Sequence, residues 1–213
     1  MKIGVLISGR GSNLQSLIDA QTNGLLGAEI GIVISNVPEV QGLDRAAAAG
    51  IPTTVINHKD FDGREPFEDA LDEELVSYGI ELVCLAGFMR LLTGGFVNRW
   101  TDRLINIHPS LLPSFKGLHT HERALEAGVR FGGCTVHFVR AEMDAGPIIV
   151  QAAVPILSDD TPDTLADRVL SEEHKIYPLA VKMIAEGRVE VVDNTVKIKD
   201  AGIPGASLIN PSA

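Results

Sequence analysis

Short apolar strands alternate with helical segments through the first half of the chain. Runs such as KIGVLIS and AEIGIVISN are followed by amphipathic segments that end at Gly24 and Gly50. Parallel strands need a long crossover between them, which is usually a helix, so this rhythm predicts βαβ units. We therefore predict an α/β fold with a Rossmann-like, mostly parallel sheet.

The rhythm changes after Pro109, where THERALEAG predicts a short helix with Thr120 as its N-cap. GCTVHFV and PIIVQAAVPI lie close together and are predicted to pair as a ribbon, and a long helix is expected over about residues 161–187. The segment VEVVDNTVKIK then predicts a hairpin that turns at Asp193-Asn194. The expected second half is a mixed, antiparallel C-terminal extension of the sheet.

The length and charge of the chain limit its domain count and its partners. The 213 residues suffice for one substantial core, so we expect a single domain over residues 1–200 and a loose tail over 201–213. A formal charge of -10 argues against nucleic acid or an anionic membrane as a partner. Cys84 lies in an apolar run, which predicts a buried thiol and a cytoplasmic protein.

A glycine-rich loop, SGRGSNLQ, joins the first strand to the first helix. Ser12 and Gln15 have the spacing of a capping box, which predicts Ser12 as the N-cap. Free amides and the helix dipole could hold a phosphate at Gly11, Ser12 and Asn13. An ordinary strand-to-helix turn explains the loop equally well, and both interpretations stay open on the motif alone.

Two other nucleotide-binding motifs do not fit this loop. Leu14 replaces the third glycine of the dinucleotide fingerprint, and Asn36 stands at the end of the second strand where an acid is expected. The Gly-Lys-Ser/Thr of a nucleoside triphosphate loop is also missing. The loop suits a monophosphate better than a pyrophosphate.

Polar residues interrupt the strand LINIHP. Side chains alternate along a strand, so Asn106 and His108 point to the same side, and Pro109 ends the hydrogen-bond ladder. An amide and an imidazolium so placed could stabilise an oxyanion, with Asp144 of AEMDAGPIIV as the partner carboxylate. Spacing alone favours the plainer interpretation, in which Asn106 and His108 are polar loop caps and Asp144 is a turn residue.

Four segments together resemble the phosphoribosylglycinamide formyltransferase family. They are LISGRGSNLQSLIDA, LAGFMRLL, INIHPSLLPSFKGLHTHERALEAG and VHFVRAEMDAGPIIVQAAVPI, and the resemblance runs from about residue 2 to about residue 187. It implies a formyltransferase fold and an enzyme of purine biosynthesis. The implied reaction moves the formyl group of 10-formyltetrahydrofolate, the co-substrate, to the amine of glycinamide ribonucleotide, without a metal.

The resemblance also implies roles for individual residues. Asn106 and protonated His108 would donate to the negative oxygen of a tetrahedral intermediate, and Asp144 would pair with His108 and assist proton transfer. The residues implied for the ribonucleotide are Gly11, Ser12, Asn13, Pro109 and Glu173. The residues implied for the folate are Arg64, Met89, Arg90, Leu91, Leu92 and Asn106.

Several of these residues have plainer interpretations. Glu173 could lie on a solvated helix face, the FMRLL segment could be core, and Arg64 could be an exposed residue at a helix start. His119, His121 and His137 show no zinc-ligand spacing, so we interpret them as packing or supporting groups.

The function itself has alternatives. A methionyl-tRNA formyltransferase or a formyltetrahydrofolate hydrolase would use a similar Asn, His and Asp, but each is expected to carry a further domain. A non-catalytic nucleotide-binding module with the same sheet would bind ligand without turnover. The sequence leaves a monomer and a homodimer equally open.

Overall fold

A seven-stranded sheet forms the centre of the protein. The computed structural model describes residues 1–202 and 208–211. The strands of the main sheet are β1 (Lys2–Ile7), β2 (Glu29–Ser35), β3 (Thr53–Val55), β4 (Leu82–Leu85), β5 (Leu104–His108), β6 (Phe131–Phe138) and β7 (Ile148–Pro155). The helices are α1 (Ser12–Thr22), α2 (Gln41–Ala48), α3 (Arg64–Ser77), α4 (Gly94–Arg99), α5 (Thr120–Glu126) and α6 (Pro162–Ala185).

The sheet is parallel on one side and antiparallel on the other. Its order is β3-β2-β1-β4-β5-β6-β7; the first five of these strands run parallel, and β6 and β7 pair antiparallel. A separate hairpin of β8 (Val189–Val192) and β9 (Thr195–Ile198) turns at Asp193 and Asn194, both with positive φ. The predicted fold class is confirmed, and so is the hairpin.

The strand order reverses between β1 and β4, because β2 lies on one side of β1 and β4 on the other. In open α/β sheets such a reversal opens a crevice at the carboxyl ends of the strands, where ligands bind. The loops after β1 and β4 both open onto this crevice. The fold therefore places the glycine-rich loop beside the FMRLL segment.

Apolar side chains cover both faces of the sheet. Along β1, Val5 and Ile7 belong to one buried cluster, and Leu6 belongs to the cluster on the opposite face. Strands buried on both faces are typical of parallel sheets covered by helices. Cys84 of β4 is fully buried, as predicted. Within the described residues, no helix is both long and apolar enough to cross a membrane.

Two predicted helix caps are wrong. The N-cap of α1 is Gly11 rather than Ser12, and the N-cap of α5 is His119 rather than Thr120. Both capping residues have left-handed backbone angles and make no side-chain capping bond. Gly11 takes this conformation where the chain approaches α2, since a Cβ on it would lie 2.7 Å from the Cα of Gly42.

The predicted loose tail lies partly outside the described residues, since 203–207 and 212–213 are not among them. In the described segment 208–211, the Asn210 amide donates to the carbonyls of Arg130 and Ile156, at 2.6 and 2.9 Å. These contacts tie that segment to the body of the protein.

Candidate active site

The end of β5 carries two of the predicted site residues. In the antiparallel pairing with β6, Asn106 lies opposite His137, and His108 lies opposite Thr135. Directly paired residues share a face of the sheet, so the side chains of Asn106, His108 and His137 lie on one side. The strand ends at His108, immediately before Pro109.

Asp144 reaches this group from the loop between β6 and β7. Its carboxylate lies between two histidines, with Oδ2 3.5 Å from His108 Nδ1 and Oδ1 3.8 Å from His137 Nε2. The Gly117 amide also donates to Asp144 Oδ2 at 2.8 Å. The structure thus brings the carboxylate of Asp144 to two histidines on neighbouring strands.

Backbone and side-chain contacts hold the Asp144 loop in place. The Phe138 amide donates to the Pro147 carbonyl at 2.9 Å and closes the base of the loop. Arg140 pairs with Asp102 at 2.6 Å. At Gly146 the chain passes so close that an added Cβ would lie 1.7 Å from the Phe138 carbonyl oxygen. Gly146 therefore permits a close approach of two backbone segments.

Both ring nitrogens of His108 face oxygen atoms. Nδ1 faces Asp144, and Nε2 lies 3.0 Å from the carbonyl oxygen of Phe115. A carbonyl and an ionised carboxylate are both acceptors, and only the doubly protonated ring donates to both at once. The side chain is also well buried, with 6 % of the residue exposed. The geometry therefore fits an imidazolium.

His137 supports Asn106 from the neighbouring strand. Its Nδ1 lies 2.9 Å from the Phe138 carbonyl oxygen, which makes Nδ1 the donor and leaves Nε2 as an acceptor in the neutral ring. Burial lowers the pKa of His137, which favours that neutral ring. Asn106 Nδ2 lies 3.4 Å from His137 Nε2, so one amide hydrogen faces the histidine and the other stays available.

The sequence did not assign His137 to the site, because its place depends on strand pairing. The sequence placed His137 in a strand that was predicted to pair. Residue spacing does not tell which residue of a neighbouring strand lies opposite it. The register with β5 puts His137 opposite Asn106.

The start of α1 and the middle of α6 form the other end of the site. Asn13 Nδ2 donates to Glu173 Oε2 at 2.7 Å, although the two residues are 160 positions apart. Glu173 is only 6 % exposed, so the solvated-face interpretation is wrong, and burial raises the pKa of its carboxyl while Asn13 opposes that shift. Asn13 Oδ1 is buried and has no hydrogen-bond partner among the residues that the structure describes, which leaves an acceptor for a ligand.

The amides of the first turn of α1 are the remaining donors at this end. Gly11, Ser12 and Asn13 begin the helix directly after the strand that borders the crevice. The first N–H groups of a helix have no partner within the helix and attract anions. Pro109, partly exposed, lies at the end of β5.

The FMRLL segment is a loop in which Phe88 and Leu92 pack against the core, while Met89 and Leu91 lie at the surface. Met89 is 70 % exposed and Leu91 is 63 % exposed, while Arg90 and Leu92 are partly exposed. Large exposed apolar side chains at the rim of a crevice are typical of a ligand-binding surface. Arg64 is exposed as the first residue of α3, and within the described residues it makes no hydrogen bond or ion pair with the others.

His119 and His121 lie at the start of α5. His121 is partly buried, and burial lowers its pKa, which Glu122 opposes. His119 is close to Glu122 on the surface, at 3.5 Å. In the part of the chain that the structure describes, no three His, Cys, Asp or Glu side chains are grouped to hold a metal ion.

The sequence and the fold match one enzyme family. The family model described as formyl transferase matches residues 1–181, and the chain belongs to that family. Phosphoribosylglycinamide formyltransferase of Escherichia coli K12 is 45 % identical over 204 residues, with 96 % of each chain covered. The crystal structure of glycinamide ribonucleotide transformylase 1 from Symbiobacterium toebii superimposes with a TM-score of 0.92 at 48 % identity, covering 94 % of each chain.

Another relative is much longer than this chain. The human trifunctional purine biosynthetic protein adenosine-3 is 54 % identical over 193 residues, which are 91 % of this chain. The chain spans only 19 % of the length of that relative.

Proposed function

We propose that this protein transfers the formyl group of 10-formyltetrahydrofolate to the amine of glycinamide ribonucleotide in purine biosynthesis. The observation that carries the proposal is the position of Asp144 between His108 and His137, with Asn106 next to His137, at the carboxyl end of β5. The names of the relatives that cover nearly the whole chain agree with it.

In the proposed reaction, the amine nitrogen attacks the formyl carbon and the carbonyl oxygen becomes negative. Asn106 donates its free amide hydrogen to that oxygen, and His108 donates from Nε2. One such donor is typically worth ~10²–10³ in rate. The intermediate then collapses, the bond from the formyl carbon to the folate nitrogen breaks, and the amine's proton passes to that nitrogen with the help of Asp144.

The contact between His108 and Phe115 bears on this step. In the free protein the Nε2–H group of His108 faces the Phe115 carbonyl oxygen at 3.0 Å. The oxyanion accepts the hydrogen bond from this group in the reaction, so the segment at Phe115 shifts when the substrates bind. Asp144 keeps its place on Nδ1 throughout, which holds the positive charge on the ring.

The two substrates occupy opposite ends of the crevice in this proposal. The phosphate of the ribonucleotide binds the amides of Gly11, Ser12 and Asn13, and its ribose hydroxyls donate to Glu173, with Pro109 at the border. The folate binds on the other side, where the residues that contact it are Arg64, Met89, Arg90, Leu91, Leu92 and Asn106. The protein acts in the cytoplasm as a monomer or a homodimer.

One assay tests the proposal against both alternatives. The protein is mixed with glycinamide ribonucleotide and 10-formyltetrahydrofolate, and the absorbance change of folate deformylation is followed. We expect deformylation that depends on the ribonucleotide. Deformylation without it would identify a hydrolase, and binding without turnover would identify a non-catalytic module.

A pair of asparagine variants tests the placement of the chemistry. Asn106→Ala should abolish most of the ribonucleotide-dependent rate, because it removes one donor to the oxyanion. Asn98→Ala changes the same residue type on the exposed surface of α4 and should retain the full rate. Equal rates in the two variants would contradict the proposed role of Asn106.

A further inference from the structure

Asn36 is a buried amide at the end of β2 that the proposed reaction does not use. Only 2 % of the residue is exposed. Its Oδ1 accepts a hydrogen bond from the hydroxyl of Ser8 at 2.5 Å, and its Nδ2 lies 3.1 Å from His58 Nδ1. The position that would carry a ribose-binding acid in a dinucleotide fold is therefore occupied by a side chain that contacts the protein itself.

Ser8 contacts the FMRLL segment as well as Asn36. It directly follows β1, and its hydroxyl oxygen accepts a hydrogen bond from the Met89 amide at 2.8 Å. A hydroxyl group has one hydrogen, and Asn36 Oδ1 takes it, so the lone pairs of Ser8 point toward Met89. Asn36 thus sets the orientation of the Ser8 hydroxyl.

The loop that contains Met89 has few other fixed points. It begins where the Ala86 amide donates to the Leu6 carbonyl at 2.9 Å, and it ends where the Thr93 amide donates to Glu68 Oε1 at 2.7 Å. Among the described residues, Ser8 provides the one acceptor for a backbone amide of residues 87–92. The middle of this loop therefore depends on Ser8 for its backbone position.

We infer that Ser8, oriented by Asn36, is a positioning residue for the reduced-folate subsite. Its hydrogen bond fixes the position of the Met89 backbone, where the loop contacts the flat ring system of the folate. The inference rests on the proposed function, because that function supplies the folate. It assigns Ser8 a task separate from phosphate binding, although Ser8 lies in the same loop as Gly11.

Two measurements on Ser8→Ala test the inference. Calorimetric titration with tetrahydrofolate, the reaction product, should show binding weakened by about 2- to 10-fold, the usual effect of one lost hydrogen bond. Hydrogen exchange at the Met89 amide should become faster. The KM for the ribonucleotide should change less than the KM for the folate. A merely structural role of Ser8 would not produce this split.

Matched variants complete the test. Ser8→Thr keeps the hydroxyl and should restore folate affinity. Ser35→Ala removes another buried hydroxyl at the same sheet edge, one that bonds locally to Val37, and should leave folate affinity and Met89 exchange unchanged. If Ser8→Ala does not fold, Ser8→Cys, with a weakly accepting sulfur, takes its place with the same expectation.

The outcomes separate this inference from the proposed function. Unchanged tetrahydrofolate affinity in Ser8→Ala, or equal losses in Ser8→Ala and Ser35→Ala, overturns the role of Ser8 while formyl transfer by the wild-type protein can still be observed. A wild-type protein that binds tetrahydrofolate but transfers no formyl group overturns the proposed function, and the role of Ser8 is still decided by the titration.

Discussion

Replacing Gly146 with alanine should separate Asp144 from His108 without touching either residue. The new Cβ would lie 1.7 Å from the Phe138 carbonyl oxygen, whereas real Cβ contacts are essentially never shorter than 3.0 Å. Phe138 is held within β6 by its pairing with Ile105 of β5. The loop side must therefore move, and Asp144 lies two residues from Gly146.

The displacement is large compared with the contact that it disturbs. The distance between the new Cβ and the Phe138 carbonyl oxygen must grow from 1.7 Å to at least 3.0 Å. A shift of that size at Asp144 would break its contact with His108, where Nδ1 and Oδ2 are already 3.5 Å apart. A misplacement of about 1 Å can cost roughly 10²-fold in rate, and overpacking typically costs about 1–3 kcal/mol of stability. We expect Gly146→Ala to lower kcat by about 10²-fold and the free energy of unfolding by about 2 kcal/mol.

Initial-rate kinetics and urea unfolding measure the two effects. Gly95→Ala is the matched control, because its Cβ would meet only Thr93 Oγ1, at an ordinary 3.6 Å. Gly95 lies in α4, where alanine should add about 0.5–1 kcal/mol of stability at full activity. Asp144→Asn removes the charge without moving the loop, so its kcat shows how much of the rate depends on that charge alone. Wild-type kcat in Gly146→Ala would refute the reasoning.

Three further predictions concern the site and the core. Asn106→Ala should lower kcat by about 10²–10³, because the oxyanion loses one donor; a raised KM at unchanged kcat would contradict this. Burial raises the pKa of Glu173, so wild-type stability should fall as the pH rises through that pKa, by at most about 1.4 kcal/mol per pH unit. In urea unfolding, the free energy of unfolding of Glu173→Gln should rise relative to that of the wild type over that pH range. A difference that stays constant with pH would refute the prediction. Burial raises the pKa of Cys134 to about 12 and that of Cys84 still further, so neither thiol should react with a thiol reagent at pH 8 before unfolding. Stoichiometric labelling of the folded protein would show this to be wrong.

The sequence predicted the fold well where the signal is local. Alternating apolar runs and helical segments sufficed for the parallel sheet, and Asp193-Asn194 sufficed for the hairpin, because two left-handed residues match the twist of paired strands. The caps at Ser12 and Thr120 were wrong for a reason outside the local sequence. Gly11 is the cap because the chain must pass close to Gly42, some 30 residues later.

The candidate site was predictable to the extent that it depends on alternation along one strand. Asn106 and His108 follow from the period of two in β5. Glu173 followed only from the family resemblance, since its contact with Asn13 spans 160 positions. Sequence reasoning gave His137 only a supporting or packing role, and Ser8 and Asn36 none, because their contacts depend on how strands and loops meet in space.

The Phe115 contact explains how a buried ion pair can persist when no substrate is bound. A buried His108–Asp144 pair is costly unless its remaining donors and acceptors are satisfied. The Phe115 carbonyl and the Gly117 amide satisfy them, and Arg123 holds this bend by donating to the Lys116 carbonyl at 2.6 Å. In the proposed reaction, the oxyanion would replace the Phe115 carbonyl as the acceptor of the hydrogen bond from His108 Nε2. In that step Asp144 keeps its place beside His108, and only the segment at Phe115 has to move.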